Sequence, residues 1–486
     1  MGLGVLLALF AGSAVVVHVA RYWRPLAFIA SVAATILLLW AVRGATSDPF
    51  DLFGITFTLQ PLARDYLLAA LALSGVLAIA TSFGDTRRSL GFMFWSWIAW
   101  LVALSVNDFV VGVFAWATGL AAMVIAMEPR RAQRVGGAAY FLVLIIVASA
   151  LLLIGNRFAE LYPLTPDQIS LLESSVLFLT WGLGLLLASV PFFLWLGPMA
   201  DETPLPIIAI LLGLGQPIGL WLLYALIGQY PRLLEQSNLL TILTYGGVAA
   251  IIVGGGLCAV ERRAARLMSF GALYALGFIL LDLSRGTLEG TAYAVIETFA
   301  RALSLGLIAA SITIARTFER RWIKSLALVV FLLGALNLVG LAPGVSLATR
   351  WNLLLEFQAT DTRIFFAILL ATVGVLIGMT SFVVMWLSSI LQRAEPELEP
   401  VAVPSSARLS LRAQLRDRLT RSAAQVNERL PQPFRRITRS ITQNWRALAA
   451  LILLLALAAF MLWYSWIPNV WYQRALNTVG QLAFIR

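Results

Sequence analysis

Charged residues are scarce in this chain of 486 residues, and histidine and cysteine are nearly absent. Only 12% of the residues are charged, whereas soluble domains carry about 25%. This shortage excludes a soluble enzyme, a disordered protein and a nucleic-acid binder. The lone Cys258 has no partner for an intrachain disulfide. With His18 as the only histidine, the clusters that hold zinc, haem or iron–sulfur groups are missing, so we expect no metal and no cofactor.

Hydrophobic residues make up 60% of the chain, and the mean hydropathy is +0.88. They form successive apolar segments of the roughly 20 residues that a helix needs to cross a bilayer. The sequence therefore predicts an all-α polytopic membrane protein of about 14 transmembrane helices. The predicted spans are 3–20, 25–43, 62–83, 89–106, 109–128, 135–155, 170–195, 204–229, 239–260, 266–284, 290–315, 323–357, 362–391 and 446–465.

The positive charges are concentrated in alternate loops, which explains the net charge of +11 without a nucleic-acid partner. Arg21, Arg88, Arg131 and Arg263 represent the basic odd-numbered loops, and the even-numbered loops carry acidic residues. The seventh loop, with Asp201 and Glu202, is the one odd-numbered loop that breaks the pattern. Because cytoplasmic loops of membrane proteins carry the basic residues, this alternation predicts both termini on the outer side of a cell membrane.

A polar arm separates the last two predicted spans, from 392 to 445, and the final helix and an external tail occupy 446–486. Between residues 408 and 445, apolar residues recur at helical spacing opposite an arginine-rich face. A basic amphipathic helix of this kind favours binding to anionic lipid headgroups on the cytoplasmic side. The alternative is an arm that clips along a neighbouring subunit.

Two spans are interrupted by proline, at Pro191 and at Pro343. Proline removes a backbone donor, and within a membrane such a break persists only where protein or water satisfies the freed carbonyls. The breaks lie five spans apart, so their helices run in opposite directions. This arrangement predicts an inverted repeat, with spans 4–8 in residues 89–229 and spans 9–13 in residues 239–391, after N-terminal helices in 1–88.

The ordered motifs resemble those of the antiporter-like subunits of respiratory complex I (NADH-quinone oxidoreductase chains L, M and N) and of multisubunit sodium/proton antiporters. The segment from Val190 to Pro206 is similar to the family's "PxHxWLPDAxEAPTPV" stretch, and Asn107 to Trp116 resembles "NDLL…fWE". Three further segments match "DLKRLLAYSSIxxxG", "HAxFKALLF" and "GLPP"; they are Arg263–Gly277, Thr298–Leu303 and Gly340–Pro343. Together the matches cover about residues 60–390.

The resemblance implies a path of acidic residues and lysines that carries protons, and several of its members are missing here. The implied positions of the span-five glutamate, the span-seven and span-eight lysines and the "DLK" lysine hold or lie near Ala117, Leu186, Pro217 and Ala265. The second half retains charge at Glu297, Arg301, Arg350 and Glu356. Lysine shuttles protons because burial can bring its pKa towards neutrality, whereas arginine does not deprotonate in proteins.

Two groups of charged residues are the candidate sites. Glu297 and Arg301 are one helical turn apart and can pair, either as a structural ion pair or as part of a remnant proton path. Asp201 and Glu202 lie in a predicted cytoplasmic loop beyond the first break, where they either gather protons at a channel mouth or are solvated; we favour solvation. The Gly254–Gly256 run favours helix packing over a phosphate loop.

The resemblance implies a membrane-arm subunit of a complex I-like, redox-driven proton-translocating assembly. Redox chemistry belongs to partner subunits, since no catalytic residues are expected in this chain. The subunit is either a remnant half-channel or a scaffold that has lost conduction. The rival hypothesis is an independent secondary transporter, a cation/proton antiporter or an anion carrier, which would use Arg301 and Arg350 as anion sites.

Overall fold

The structure is a computed structural model that describes residues 1–82, 89–127, 136–165, 167–235, 238–318, 320–391 and, with gaps at 448, 451, 461 and 463–467, residues 447–479. The arm at 408–445 therefore lies outside the described residues. The helices before the first break are α1 (Leu3–Ala20), α2 (Arg24–Arg43), α3 (Pro61–Ser82), α4 (Leu90–Ser105), α5 (Phe109–Ala126), α6 (Gly136–Leu161) and α7 (Ile169–Leu187). Those that follow are α8 (Leu196–Glu202), α9 (Leu205–Ile210), α10 (Gln216–Gln229), α11 (Arg232–Glu235), α12 (Leu239–Val260), α13 (Ala264–Ser284), α14 (Leu288–Thr317), α15 (Arg321–Val339), α16 (Ser346–Thr360), α17 (Thr362–Leu391) and α18 (Pro468–Val479).

The prediction of an all-α polytopic membrane protein is confirmed. Within the described residues, 12 helices are long and apolar enough to cross a membrane. α4 is a shorter apolar helix of 16 residues at the predicted fourth span. The predicted fourteenth span falls partly on residues that the structure does not describe, so the count of 14 stays a prediction.

Two elements were not predicted from the sequence. A small antiparallel hairpin, β1 (Phe50–Leu52) and β2 (Ile55–Phe57), lies between α2 and α3 and bridges to Val106. Helix α18 occupies what was predicted to be an external tail. It packs against α3 and α14, and its Arg474 forms a bidentate ion pair with Asp65 at distances of 2.8–3.0 Å.

The centre of the bundle is built from the most deeply buried spans: the α9–α10 segment, α13 and α14. Outer helices such as α1, α6 and α17 bury one face and expose valine, isoleucine and leucine on the other, as at Val16, Ile146 and Leu370. That pattern suits hydrocarbon rather than water. Helix α9 packs against α14, whose charged residues Glu297 and Arg301 are buried inside the bundle.

Small residues bring α12 against both of its neighbours, as the Gly254–Gly256 run predicted. A Cβ added at Gly254 would lie 2.8 Å from the Cα of Tyr274 in α13. One added at Gly255 would lie 2.7 Å from the Cα of Ala371 in α17. A Cβ at Gly256 would meet no atom within 4 Å. Two of the three glycines therefore allow close helix packing, and the third does not take part in it.

Gly255→Ala should destabilise the protein by about 1–3 kcal/mol, because the new methyl group would force α17 away from α12. Gly256→Ala is the matched control and should leave stability unchanged or raise it by up to about 1 kcal/mol, because alanine favours the helix. Unfolding of the two variants in mixed micelles measures the difference. Equal effects would show that α12 and α17 do not meet at this glycine.

Candidate functional site

The first break follows α7, and protein groups satisfy its carbonyls. The helix ends with Ala188 in the left-handed region (φ 58°), three residues before Pro191, whose peptide bond is cis. The side chain of Gln216 donates to the carbonyl of Leu186 at 3.0 Å. The indole of Trp195 donates to the carbonyl of Leu185, also at 3.0 Å. The break is therefore closed by hydrogen bonds from within the bundle, as its survival in a membrane requires.

The second break has the same local form. Helix α15 ends at Gly340 in the left-handed region (φ 87°), again three residues before a cis proline, Pro343. The guanidinium of Arg350 donates to the carbonyl of Leu338 at 2.8 Å. Because a Cβ at Gly340 would lie 2.6 Å from Cδ of Arg350, glycine is needed both for its positive φ and for this close approach.

A third interruption, a π-helical turn over Leu211–Gly215, divides α9 from α10. Pro217 follows this turn and lacks the N–H that an uninterrupted α-helix would use, which explains the change of register. Trp116 donates to the carbonyl of Gly215 at 2.7 Å, and Tyr66 donates to the carbonyl of Leu214. Helices α3 and α5 thus supply the donors for the carbonyls that the turn releases.

Glu297 pairs with Arg350, not with Arg301 as the helical spacing suggested. Nε of Arg350 lies 3.3 Å from both carboxylate oxygens, and a terminal guanidinium nitrogen lies 3.1 Å from Oε2. Thr349 donates a further hydrogen bond to Oε1. After the second break, α16 packs against α14. Arg350 can therefore reach the Glu297 carboxylate from a facing helix, whereas Arg301 lies one turn away on the same helix as Glu297. Glu297 has no exposed surface and Arg350 only 4%, so the ion pair is fully inside the protein.

Arg301 is buried without an acidic partner among the described residues. It is 2% exposed, and its one hydrogen bond, of 2.6 Å, runs to Oε1 of Gln216. Its Nε and one terminal nitrogen have no hydrogen-bond partner within the described part of the chain. Since Gln216 also bonds to Leu186, this glutamine connects the first break to the charged side chains of α14. Sequence reasoning missed Gln216, although a glutamine beside a proline in an apolar span was a usable signal.

Glu356 belongs to a second cluster, closer to the end of the bundle. It pairs with Arg285 at 2.7 Å and is 49% exposed on its side chain. Arg285 also lies 3.8 Å from Asp282, a carboxylate with 1% exposure whose Oδ1 accepts no hydrogen bond from the described residues. Asp282 was not predicted as a site residue, although an acidic residue inside an apolar span is itself a functional signal.

Asp201 and Glu202 both contact protein groups, although the Asp201 side chain remains 31% exposed. The preference for solvated carboxylates over a proton-gathering role stays a prediction. Asp201 pairs with Arg263 at 3.1 Å and with Arg266 through a second ion pair. The carboxylate of Glu202 accepts a 2.9 Å hydrogen bond from the N–H of Gly137. That contact places a negative charge at the start of α6, where the helix dipole favours it. These carboxylates join α8 to α13 and α6, and a role at a channel mouth stays a prediction.

No family model matches the sequence. One relative is NADH-quinone oxidoreductase subunit N of Desulforudis audaxviator, 24% identical over 43% of this chain and 44% of that protein. Another is NADH-quinone oxidoreductase subunit N 1 of Roseiflexus castenholzii, 24% identical over 79% of this chain and 73% of that protein. The chain thus spans less than half the length of the first of these relatives.

Solved structures share the fold over nearly the whole chain. A chain of the membrane-bound sulfane sulfur reductase, an archaeal respiratory membrane complex, superposes with a TM-score of 0.72 at 16% identity, covering 99% of both chains. A chain of respiratory complex I from Thermus thermophilus gives 0.68 at 15% identity and covers 98% of this chain and 99% of its own. A chain of the Mrp complex from Dietzia gives 0.66 at 16%, covering 99% and 94%.

The fold and the broken helices define a polytopic membrane protein of the kind found in these multi-subunit complexes. The resemblance that the motifs indicated is confirmed: the chain is a divergent relative of antiporter-like subunits. Ala117 occupies a position that the resemblance assigns to a proton-carrying glutamate, and Leu186 and Pro217 lie near two that it assigns to lysines.

Gln216→Leu should destabilise the protein by about 1.5–3 kcal/mol, because it leaves Arg301 and the Leu186 carbonyl without their bonds. Gln229→Leu is the control, since the hydrogen bond from Gln229 to Asn107 is exposed and surface changes cost about 0.5 kcal/mol or less. Adding Arg301→Met to Gln216→Leu should restore much of the loss. Unfolding in mixed micelles tests both points; a double variant no more stable than Gln216→Leu would contradict the assigned contact.

Proposed function

We propose that the chain is a membrane-arm subunit of a complex I-like, redox-driven proton-translocating assembly, and that within it the chain is a scaffold with a degenerate proton path. The related proteins and the similar structures belong to multi-subunit complexes, which supports partners within the membrane. They favour this function over an independent secondary transporter. Electron transfer would then take place in the partner subunits.

The main support for a scaffold role is that position 301 holds an arginine, where the resemblance implies a lysine. Arginine keeps its proton in proteins, so Arg301 cannot pass one on where the resemblance implies a lysine. Ala117 and Leu186 carry no titratable group, and Gln216 bridges the axis with both ends of its amide hydrogen-bonded. In the second half, Glu297 is held by Arg350 and Thr349. These contacts favour a fixed polar core over a relay whose members exchange protons.

The inverted repeat of residues 89–229 and 239–391 is part of the proposal. A left-handed residue three positions before a proline ends the first half of both broken helices, at Ala188 and at Gly340, which supports the match between the halves. The outward termini and the cytoplasmic arm with its anionic-lipid contact, at 408–445, rest on the distribution of arginine alone.

Glu297→Gln should reduce assembly of the complex, because it leaves Arg350 buried beside an uncharged amide. Breaking a buried ion pair typically costs about 3–5 kcal/mol. Glu356→Gln is the control, since its ion pair with Arg285 is half-exposed and such pairs contribute about 0–1 kcal/mol. Yield of the assembled complex and proton flux coupled to electron transfer should be measured in the same preparation. An intact Glu297→Gln complex with strongly reduced pumping would overturn the scaffold assignment.

Reporter fusions test the orientation. A reporter inserted within 408–445 should read cytoplasmic, and one fused after Arg486 should read external, because the positively charged loops stay inside. A reporter inserted within residues 83–88, which include Arg87 and Arg88, is the internal control and should give the same signal as the arm. A cytoplasmic signal from the fusion after Arg486 would contradict the 14-span count and the outward termini together.

A further inference from the structure

We propose that the cavity beneath α18 binds one acyl chain of a zwitterionic phospholipid, with the lipid headgroup at Asp65 and Arg474. The cavity has a volume of about 610 Å³, is open on one side, and is lined by α3, α14, the helical residues 452–460 and α18. This is within the roughly 300–1,000 Å³ of small-molecule sites. The site goes beyond the proposed function and does not depend on whether the chain conducts protons.

The cavity exists because small side chains line the helices that face it. Ala69 and Ala72 on α3, Ala302 on α14, Ala456 and Ala475 leave a space that leucine would fill. Between them the walls are leucine, valine, isoleucine and phenylalanine. Such a lining offers a ligand dispersion contacts and no hydrogen bonds along most of its length.

Polar groups on the lining are confined to one end. Asp65 and Arg474 form their ion pair there, and their side chains are 23% and 57% exposed. Tyr66 also lines the cavity, but its hydroxyl donates to the carbonyl of Leu214. A quinone needs polar partners for the oxygens of its ring, and the described lining offers none deep in the cavity. An amphiphile with its charge at one end fits instead.

The length of the cavity matches a single lipid leaflet. From Asp65 to Val76, α3 rises by roughly 16 Å at 1.5 Å per residue. The hydrocarbon core of a bilayer is about 30 Å thick, so this distance is about half of it. The cavity therefore runs from the end of α3 at the membrane surface to near the midplane, as an acyl chain does.

The ion pair at the rim selects the headgroup. Arg474 presents a guanidinium to a phosphate, and Asp65 presents a carboxylate to an ammonium group. Phosphatidylethanolamine carries both charges, whereas phosphatidylglycerol would leave Asp65 facing an anion. We therefore expect the site to prefer phosphatidylethanolamine.

The full chain, purified and stripped of lipid, should be mixed with phosphatidylethanolamine, phosphatidylglycerol or menaquinone and examined by native mass spectrometry. One tightly held phosphatidylethanolamine is expected. Ala72→Phe fills the cavity and should abolish its retention, while Ala150→Phe, at an exposed position of α6, should retain it. Asp65→Asn should lower the preference for phosphatidylethanolamine over phosphatidylglycerol about fivefold, which is the effect of one charge near the headgroups.

Several results would overturn the proposal. They are equal retention of the two lipids by the wild-type chain, retention of menaquinone instead, or equal retention of phosphatidylethanolamine by the two phenylalanine variants. If Ala72→Phe does not fold, Asp65→Asn decides alone, because an unchanged lipid preference would exclude the assigned headgroup contact. A cavity that proves to be closed by a neighbouring subunit, with no lipid retained by the assembled complex or by the free chain, would also exclude it.

Discussion

The carbonyls released where helices break control the arrangement of this bundle. In hydrocarbon no water is at hand to bond with them, so each break must have a donor from the protein. Gln216 and Trp195 donate hydrogen bonds to carbonyls at the first break, and Arg350 donates one at the second. Each donor must come within about 3 Å of its carbonyl, which fixes the positions of the helices that carry the donors. Packing of the central helices therefore follows from hydrogen bonds as much as from apolar contact.

Arg350 serves two purposes, since it bonds to the Leu338 carbonyl and to the Glu297 carboxylate. The ion pair thus attaches α14 to the broken helix and keeps Gly340 under the arginine side chain. A group with two structural partners is poorly suited to a cycle in which partners change. The same reasoning applies to Gln216, whose amide bonds at both ends. A proton relay would need at least one of these contacts to be released.

The fold could be predicted from the sequence because its signals are long and repeated. Apolar segments of helical length, arginine in alternate loops and two prolines at matching positions all point to a polytopic bundle with broken helices. The small hairpin at Phe50–Phe57 and helix α18 were missed. Both are short, and their stability comes from tertiary contacts such as Phe57 with Val106 and Arg474 with Asp65, which no local pattern specifies.

The sequence singled out charged residues of the candidate site, but it missed Gln216 and Asp282 and did not predict the pairing. Glu297, Arg301 and Arg350 were all singled out, yet helical spacing joined the wrong two. Spacing along a helix shows only which side chains are neighbours on that helix. Arg350 lies on a different helix, α16, which packs against α14 after the second break. Because Arg350 pairs with Glu297, Arg301 needs another acceptor, and Gln216 of α10 provides it. The result is a buried arginine bonded to a neutral amide, an arrangement that holds helices together and in which the guanidinium keeps its proton.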